Sequence, residues 1–387
     1  MYPNLYYAFK DLFGVELPFL KIFQTFGFFV AIAFLAAAYV LTIELRRREK
    51  LGWLHGVPDV IEVGKPASTG ELVWNGVLGF LLGFKVIGAI LAKEAVSQDL
   101  QGFIFSAQGS WAAGIVLAAL FVWLKYNNRK KKTLPTPKKE TIMVMPHQRV
   151  PDFTVMAAIA GLIGAKIFHN LENWNDFVQD PIGSLISFSG LTFYGGLIVA
   201  AIVIIRYANK KQINTFHIID SAAPALMLAY GVGRMGCHFA GDGDWGIVNT
   251  HPNPFSWLPD WAWSFNYAHN VVNEGVPIPG CDGRYCHMLQ PGVYPTPLYE
   301  IIACLLLFVV LWSIRKKITV PGVIFGIYLI LNGIERFFIE KIRVNTRYSI
   351  FGFHPTQAEI ISTLMVIGGA LLIWYSRRKA YSAKTIS

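Results

Sequence analysis

Residues 22–50 read IFQTFGFFVAIAFLAAAYVLTIELRRREK, an apolar run that ends in a cluster of basic residues. A membrane-spanning α-helix needs about 20 mostly apolar residues, because the hydrocarbon core of a bilayer is about 30 Å thick. The whole chain of 387 residues is 54% hydrophobic and only 15% charged. Soluble domains carry about 25% charged residues, so this composition argues for a protein that crosses a membrane several times.

Eight further apolar runs of similar length follow along the chain. The nine predicted spans are approximately 22–44, 72–92, 105–124, 152–170, 190–206, 217–238, 298–314, 320–340 and 358–375. No part of the sequence repeats another, which argues against a transporter built from duplicated halves. The predicted fold is therefore an all-α polytopic membrane protein with about nine transmembrane helices.

Basic clusters at the ends of these spans predict the orientation of the chain. They lie at 46–50, 125–140, 206–211, 315–317 and 377–379, and with nine spans all five fall on one side. Because Lys and Arg accumulate on the cytoplasmic side, the pattern predicts the N-terminus outside and the C-terminus inside. The net charge of +10 thus reflects topology, and we expect no nucleic-acid partner.

Two extracytoplasmic segments of this predicted topology carry unusual residues. The long loop 241–297 contains Cys281 and Cys286, which would pair if the loop faces an oxidising compartment; the sequence leaves this open. The segment 341–357 carries Lys341, Arg343 and Arg347, against the charge rule. It is either a tolerated exception or holds an anionic lipid headgroup.

The spans and linkers also suggest how the chain is organised. The expected parts are N-terminal helices at 1–150 with an extra helix pair at about 72–124 and a basic cytoplasmic linker at 125–150, a membrane core at 151–376 that includes the loop 241–297, and a cytoplasmic tail at 377–387.

Charged residues inside the span 320–340 and just beyond it form a stripe. In LNGIERFFIEKIR (331–343), one helical face carries Asn332, Arg336, Glu340 and Arg343. Charge at bilayer depth costs several kcal/mol, so such a stripe must face protein or a wet cavity. One interpretation is a self-neutralising Arg336–Glu340 pair at i,i+4.

The stretch GVGRMGCHFAGDGDWG (231–246) favours a different interpretation of that stripe. It places Arg234 near the outer end of its span, at about the same depth as Arg336 and Arg343. Three planar guanidiniums together suit bidentate capture of a phosphate. Asp242 and Asp244 would then be partners of the arginines or a general base, or else ordinary turn residues.

Further candidates lie in the spans 152–170 and 190–206. Gly195 and Gly196 would permit close helix packing or the approach of a ligand. Tyr194 offers a hydroxyl at the membrane interface, where tyrosines are also common for other reasons. Lys166 is a cation in an apolar segment, and its side chain would otherwise snorkel to the surface.

Five stretches, in order, resemble the prolipoprotein diacylglyceryl transferase family of bacteria. They are GLIGAKIFHNLENWNDFVQDPIGSLISFSGLTFYGGL (161–197), GRMGCHFAGDGDWG (233–246), YPTPLYE (294–300), GIERFFIEKIR (333–343) and HPTQAEIIS (354–362). The resemblance covers most of 150–375 and has no counterpart for the helices at 72–124. It implies transfer of the diacylglyceryl group of phosphatidylglycerol to the lipobox cysteine of preprolipoprotein signal peptides, forming a thioether and releasing glycerol phosphate.

The resemblance also implies a setting and roles for individual residues. The enzyme would lie among membrane lipids in the bacterial plasma (inner) membrane with its site on the extracytoplasmic side, without cofactor or metal ion. Arg234 and Arg336 match the family's arginines and would clamp the phosphate, and Glu340 would orient them. The other matches, which would bind substrate or shape the site, are Arg343, Tyr299 and Glu300.

Several polar positions depart from the family pattern and suggest a divergent member. Tyr194 replaces a histidine that is a candidate base, and a tyrosine with a pKa of about 10 is a poor base unless arginines depress that pKa. His238, in place of a phenylalanine, would supply an imidazole. Lys166 replaces an arginine and Asp242 a glutamate. A transferase with another lipid moiety or acceptor, a transporter or binding protein for an anionic amphiphile, and an inactive scaffold remain as alternatives.

Overall fold

The computed structural model describes residues 1–92, 103, 106–187, 192–345, 348–349 and 353–386. Over these ranges the chain is mostly helical. The helices are α1 Leu5–Phe13, α2 Thr25–Lys50, α3 Thr69–Leu91, α4 Trp111–Lys130, α5 Val150–Glu172, α6 Trp174–Gln179, α7 Pro181–Ile186, α8 Phe193–Lys210, α9 Thr215–Ala240, α10 Asp260–Trp263, α11 Thr296–Ile314, α12 Val323–Glu340 and α13 Gln357–Ile386. Short 3₁₀ helices at Pro18–Ile22 and Pro146–Arg149 precede α2 and α5.

Nine of the described helices have 18 or more residues, and each coincides with one predicted span. Six of them (α2, α3, α5, α8, α11 and α13) are long and apolar enough to cross a membrane. This confirms the prediction of an all-α membrane protein, while the crossing of α4, α9 and α12 and the orientation stay predictions. Residue 105 and residues 190–191 of the predicted spans, like Arg347, lie outside the described residues.

Residues 125–150 have more structure than the linker that the sequence suggests. Helix α4 extends to Lys130, and strand β2 (Lys138–Val144) pairs antiparallel with β1 (Val57–Val63). The register places Val57 opposite Val144. Neither face of β2 is buried in a core, so its sequence has no alternation of apolar residues. Its pairing depends on a partner strand about 80 residues away in the chain.

Helix α9 is the central element of the membrane core. It packs against α2 on one side and against α11 and α12 on the other, and α12 in turn packs against α13. Ala223 and Met227 of α9 are fully buried together with Cys304 of α11 and Ile324 of α12. Helices α5 and α8 pack on each other and share a buried hydrophobic cluster with α2 and α9. Helices α3 and α4 form a further pair. The arrangement brings the C-terminal ends of α9 and α12 beside the N-terminal end of α11.

A buried ionic network joins the opposite ends of α2, α9 and α12. Glu44 and Arg48 of α2 are almost fully buried and pair at 3.0 Å. Arg48 Nη1 lies 3.6 Å from Asp220 of α9, whose carboxylate accepts hydrogen bonds from the backbone N–H groups of Gly322 and Phe325 at 2.9 Å. The network therefore fixes where α12 begins and how it lies against α9.

The segment 241–297 folds into a compact loop with its own small core. Trp245, Tyr267, Leu289 and Val293 are buried together. A short strand pair, β3 (Val276–Pro277) with β4 (His287–Met288), brackets a disulfide between Cys281 and Cys286. The pairing that the sequence left open is thus present in the structure.

Candidate active site

Arg234 lies in the last two turns of α9, and the end of that helix is well defined. Gly241 follows Ala240 with φ of +65°, a conformation that favours glycine, and its N–H donates to the Cys237 carbonyl at 2.9 Å. The chain then turns into the loop, so Arg234 points from a rigid helix towards the segment that carries Asp242 and Asp244.

A close backbone approach connects this loop to the segment after α12. The Ile247 N–H donates to the Ile342 carbonyl at 2.8 Å, and Gly246 forms an isolated bridge with Arg343. A Cβ at Gly246 would lie 2.5 Å from the Ile342 carbonyl oxygen, so only glycine fits there. This contact brings Asp244 beside Arg343.

Three arginines converge on the Glu300 carboxylate, which is fully buried in the first turns of α11. Arg234 Nε lies 2.9 Å from Glu300 Oε2, and Arg336 Nη1 lies 3.2 Å from Oε1. Arg343 Nη1 lies 3.8 Å from the same Oε1. The three guanidiniums that the sequence placed at similar depth therefore share one carboxylate, contributed by a third helix.

Asp244 links two of these arginines from the loop side. Its Oδ1 accepts from Arg343 Nη2 at 2.5 Å, and its Oδ2 accepts from Arg234 Nη1. Burial raises the pKa of Asp244, but the two guanidiniums outweigh it and lower the pKa to about 2. Asp244 is therefore ionised at neutral pH.

The Arg336–Glu340 pair expected as one alternative is present, at 2.9 Å between Nη2 and Oε2. It does not neutralise Arg336 in isolation, because the same guanidinium also contacts Glu300. Glu340 additionally accepts from Asn345 at 2.7 Å. Among the three arginines, Glu340 thus pairs with Arg336, whereas Glu300 contacts all three.

Two neighbours of this cluster were not predicted from the sequence. Tyr230 lies one turn before Arg234, and its hydroxyl donates to Glu300 Oε1 at 2.9 Å. Glu335 of α12 is 8% exposed, and neither of its carboxyl oxygens has a hydrogen-bond partner among the described residues. Two features of the sequence point to them. Tyr230 lies four residues before Arg234, and Glu335 is the direct neighbour of Arg336.

Asp242 lies beside Asp244 and Cys237. Its Oδ1 accepts from the Asp244 N–H at 3.3 Å, and burial, followed by the negative charge of Asp244, raises the pKa of its carboxyl. Ligand atoms of Cys237, Asp242 and Asp244 lie within 4.8 Å of one another, the spacing of a metal site. However, both oxygens of Asp244 already accept from guanidiniums, and two permanent positive charges disfavour a cation there.

The predicted candidates on α5 and α8 have mostly local contacts. Tyr194, in the first turn of α8, is half-buried and within electrostatic range of Arg336. Gly195 and Gly196 serve close helix packing, since a Cβ at Gly196 would lie 2.7 Å from a carbonyl oxygen of α5. Lys166 Nζ donates to Ser187 Oγ at 2.8 Å and to its carbonyl at 2.9 Å.

Two further predicted residues anchor the loop. His238 is buried, with its Nδ1 3.1 Å from the Tyr267 hydroxyl and its ring against Phe265 and Tyr267. Tyr299 donates its hydroxyl to the Ala262 carbonyl at 2.8 Å. Both side chains thus make their hydrogen-bond-distance contacts with the loop.

Comparison with known proteins identifies relatives over the part of the chain that holds this cluster. The sequence profile of the family described as prolipoprotein diacylglyceryl transferase matches residues 109–375. Among similar proteins, the phosphatidylglycerol–prolipoprotein diacylglyceryl transferase of Staphylococcus haemolyticus is 32% identical over 232 residues, covering 60% of this chain and 74% of the relative. Enzymes of the same name from Streptococcus agalactiae (29% identical, 59% and 80% covered) and Clostridium novyi (28%, 62% and 85%) are also similar.

Proposed function

Because the chain belongs to the prolipoprotein diacylglyceryl transferase family, we propose that its arginine cluster is the site at which the diacylglyceryl group of phosphatidylglycerol passes to the cysteine thiol of a prolipoprotein. The protein is a multi-pass membrane enzyme, a transferase of lipoprotein maturation. The observation that carries the assignment of the site is the convergence of Arg234, Arg336 and Arg343 on one buried carboxylate.

The first task of such a site is to bind the phosphodiester of the lipid. Guanidiniums suit it because they stay charged and present pairs of N–H donors that match two phosphate oxygens. Glu300 is fully buried between the arginines and holds them in fixed orientations before the lipid arrives. Arg234 and Arg336 are the proposed clamp, with Arg343 as a third donor.

The second task is to make the acceptor thiol nucleophilic. A thiol with a pKa of about 8.5 is mostly protonated at neutral pH, and the thiolate is the reactive form. Asp242 is the proposed proton acceptor, since its raised pKa makes it a stronger base than an ordinary aspartate and it lies beside the cluster. Tyr194 interacts electrostatically with Arg336 and is proposed to orient the lipid headgroup.

The transfer itself exchanges one bond for another. The thiolate sulfur attacks the glycerol carbon that carries the phosphate, a C–S bond forms, and the C–O bond to the phosphate breaks. The bonding electrons of that C–O bond pass to the phosphate oxygen, and glycerol phosphate leaves as an anion. The arginines stabilise the charge that develops on this leaving group.

We place this site on the extracytoplasmic side of the bacterial plasma membrane, with the N-terminus outside and the C-terminus inside. Two observations support this: the five basic clusters lie at the helix ends opposite to the arginine cluster, and the loop 241–297 carries a disulfide, which persists in oxidising compartments. In the same proposal all nine long helices cross the membrane, and the acceptor is the lipobox cysteine of a preprolipoprotein signal peptide.

The proposed division of the chain follows the matched region. Residues 151–376 form the transferase core, 1–150 add the N-terminal helices, and 377–387 form a cytoplasmic tail. The family match begins at 109 and so takes in α4 but not α3. We therefore propose that only the first helix of the pair at about 72–124 is an addition to the family core.

The test is transfer by the purified protein in nanodiscs that contain phosphatidylglycerol, with a lipobox peptide followed by mass spectrometry. We expect a gain of one diacylglyceryl group that is lost in Arg234→Ala and retained in Arg284→Ala, an exposed arginine of the loop. Absence of a gain under conditions in which a relative is active would refute the proposed reaction. Equal loss in both variants would refute the assignment of the site.

A further inference from the structure

Two of the three guanidiniums at the candidate site are already occupied by a carboxylate of the chain itself. Asp244 Oδ1 accepts from Arg343 at 2.5 Å, and its Oδ2 accepts from Arg234. The two oxygens of one carboxylate thus bridge two arginines in the way that two oxygens of a phosphodiester would. A lipid phosphate that accepts from these same two N–H groups has to displace Asp244.

Asp244 differs from the other carboxylates of the cluster in its freedom to move. Glu300 and Glu340 have fully buried side chains on helices, whereas the Asp244 side chain is 36% exposed and lies in the loop. Its backbone is held, since the Asp244 carbonyl accepts from Thr296 Oγ1 at 2.8 Å. A rotation of the side chain towards the open face would therefore release the arginines without moving the loop.

The donors around Asp244 are incompletely satisfied. Arg343 has a side chain only 9% exposed, and its Nε and Nη1 are buried without a hydrogen-bond partner among the described residues. A carboxylate offers two oxygens, and both are used. A phosphodiester offers two non-bridging and two bridging oxygens, so it would satisfy donors that Asp244 leaves open.

Charge balance favours an exchange at this position. Among the described residues, the three guanidiniums have three carboxylates within ion-pair distance, those of Glu300, Glu340 and Asp244. An added phosphodiester would give the cluster an excess negative charge unless one carboxylate left. Asp244 is the member that is exposed enough to do so.

We propose that the Asp244 carboxylate occupies the phosphodiester subsite of the lipid-free enzyme and swings out when the anionic lipid binds. Asp244 is then a positioning residue that keeps Arg234 and Arg343 apart and oriented, and it competes with the substrate. This inference rests on the proposed function for the identity of the lipid. A lipid without a phosphate, such as diacylglycerol, has nothing to displace the carboxylate and does not bind there.

The test compares Asp244→Asn with the native enzyme in nanodiscs of phosphatidylcholine with a varied fraction of phosphatidylglycerol. Removal of the competing charge lowers the KM for phosphatidylglycerol by about tenfold, because a larger fraction of the protein is ready to bind. Asp282→Asn makes the same charge change on the exposed side of the loop and leaves the KM unchanged. A KM of Asp244→Asn that is unchanged or higher would overturn the proposal.

A binding measurement separates this proposal from the reaction itself. The rise in thermal midpoint between phosphatidylcholine nanodiscs and those with phosphatidylglycerol, without peptide, is expected to be larger in Asp244→Asn than in the native protein. If transfer is absent but this difference is present, the proposed function fails and the displaceable carboxylate stands. If Asp244→Asn does not fold, Asp244→Glu is measured instead. Its longer carboxylate is expected to raise the KM for phosphatidylglycerol several-fold. An unchanged or lower KM contradicts the proposal.

Discussion

The Tyr230 hydroxyl donates to Glu300 Oε1 at 2.9 Å, and Glu300 is fully buried at the point where three arginines meet. The Tyr230 ring also lies under the Arg234 guanidinium, 5.4 Å from its carbon. One tyrosine thus fixes both a carboxylate and the arginine that the carboxylate pairs with. The proposed phosphate clamp is therefore organised from α9 and α11 before any ligand binds.

Replacement of Tyr230 by phenylalanine removes this hydrogen bond and keeps the ring. A hydrogen bond to a charged group contributes about 1.5–3 kcal/mol. We expect a lower thermal midpoint and a fall of roughly tenfold in kcat/KM for transfer. Tyr328→Phe, in the hydrophobic cluster between α9, α11 and α12, is the matched control. Equal activity of the two variants would show that the hydroxyl does not organise the site.

Replacement of Glu300 by glutamine leaves three guanidiniums without their shared charge. Breaking a buried ion pair from one side costs about 3–5 kcal/mol, so we expect a lower thermal midpoint in detergent as well as loss of transfer. Glu274→Gln, an exposed loop residue, should change neither. A Glu300→Gln protein as stable and as active as the native one would mean that the arginines do not depend on this carboxylate.

The pH dependence of transfer should report Asp242. Burial, followed by the neighbouring Asp244 charge, raises the Asp242 pKa, and only the deprotonated form accepts a proton. Activity therefore rises as pH increases through that raised pKa and falls below it. Asp242→Asn should lower kcat and remove this rising limb from the profile of kcat/KM. A limb that persists in the variant would assign it to another group.

Stability should also depend on pH, through the ionisation of Asp244. Its folded-state pKa of about 2 lies below the ordinary value of 3.8, so its ion pairs stabilise the protein above the ordinary value and are lost as pH falls towards 2. The native protein should thus lose more stability on acidification than Asp244→Asn does. Thermal midpoints of both proteins, measured from neutral pH down through this window, give the comparison. Parallel curves would contradict it.

The disulfide offers a test of the orientation. After reduction, Cys281 and Cys286 should react with a membrane-impermeant maleimide added to spheroplasts, whereas Cys237 and Cys304 are buried and should not. Spheroplasts of a Cys281→Ser, Cys286→Ser variant control for background. Labelling only after the membrane is broken would place the loop and the arginine cluster on the cytoplasmic side.

The sequence by itself determined the class of fold and most positions of the long helices. A run of about 20 apolar residues satisfies its own backbone hydrogen bonds only as a helix in a bilayer, so length and hydropathy suffice. The i,i+4 spacing in α12 likewise put Arg336 and Glu340 on one face, and their ion pair is present. Such spacings involve residues close together in the chain, so helix geometry alone determines which side chains share a face.

Only the tertiary structure decided which charges meet. Glu300 lies 66 positions from Arg234 and 36 from Arg336, and nothing in the spacing of YPTPLYE says that its carboxylate points between them. The bridge between Gly246 and Arg343 and the pairing of β1 with β2 are equally non-local. From the sequence, Asp244 is a partner of the arginines, a general base or an ordinary turn residue. It occupies two arginines because the packing of α9, α11 and α12 brings their ends together, and that packing depends on side chains far apart in the chain.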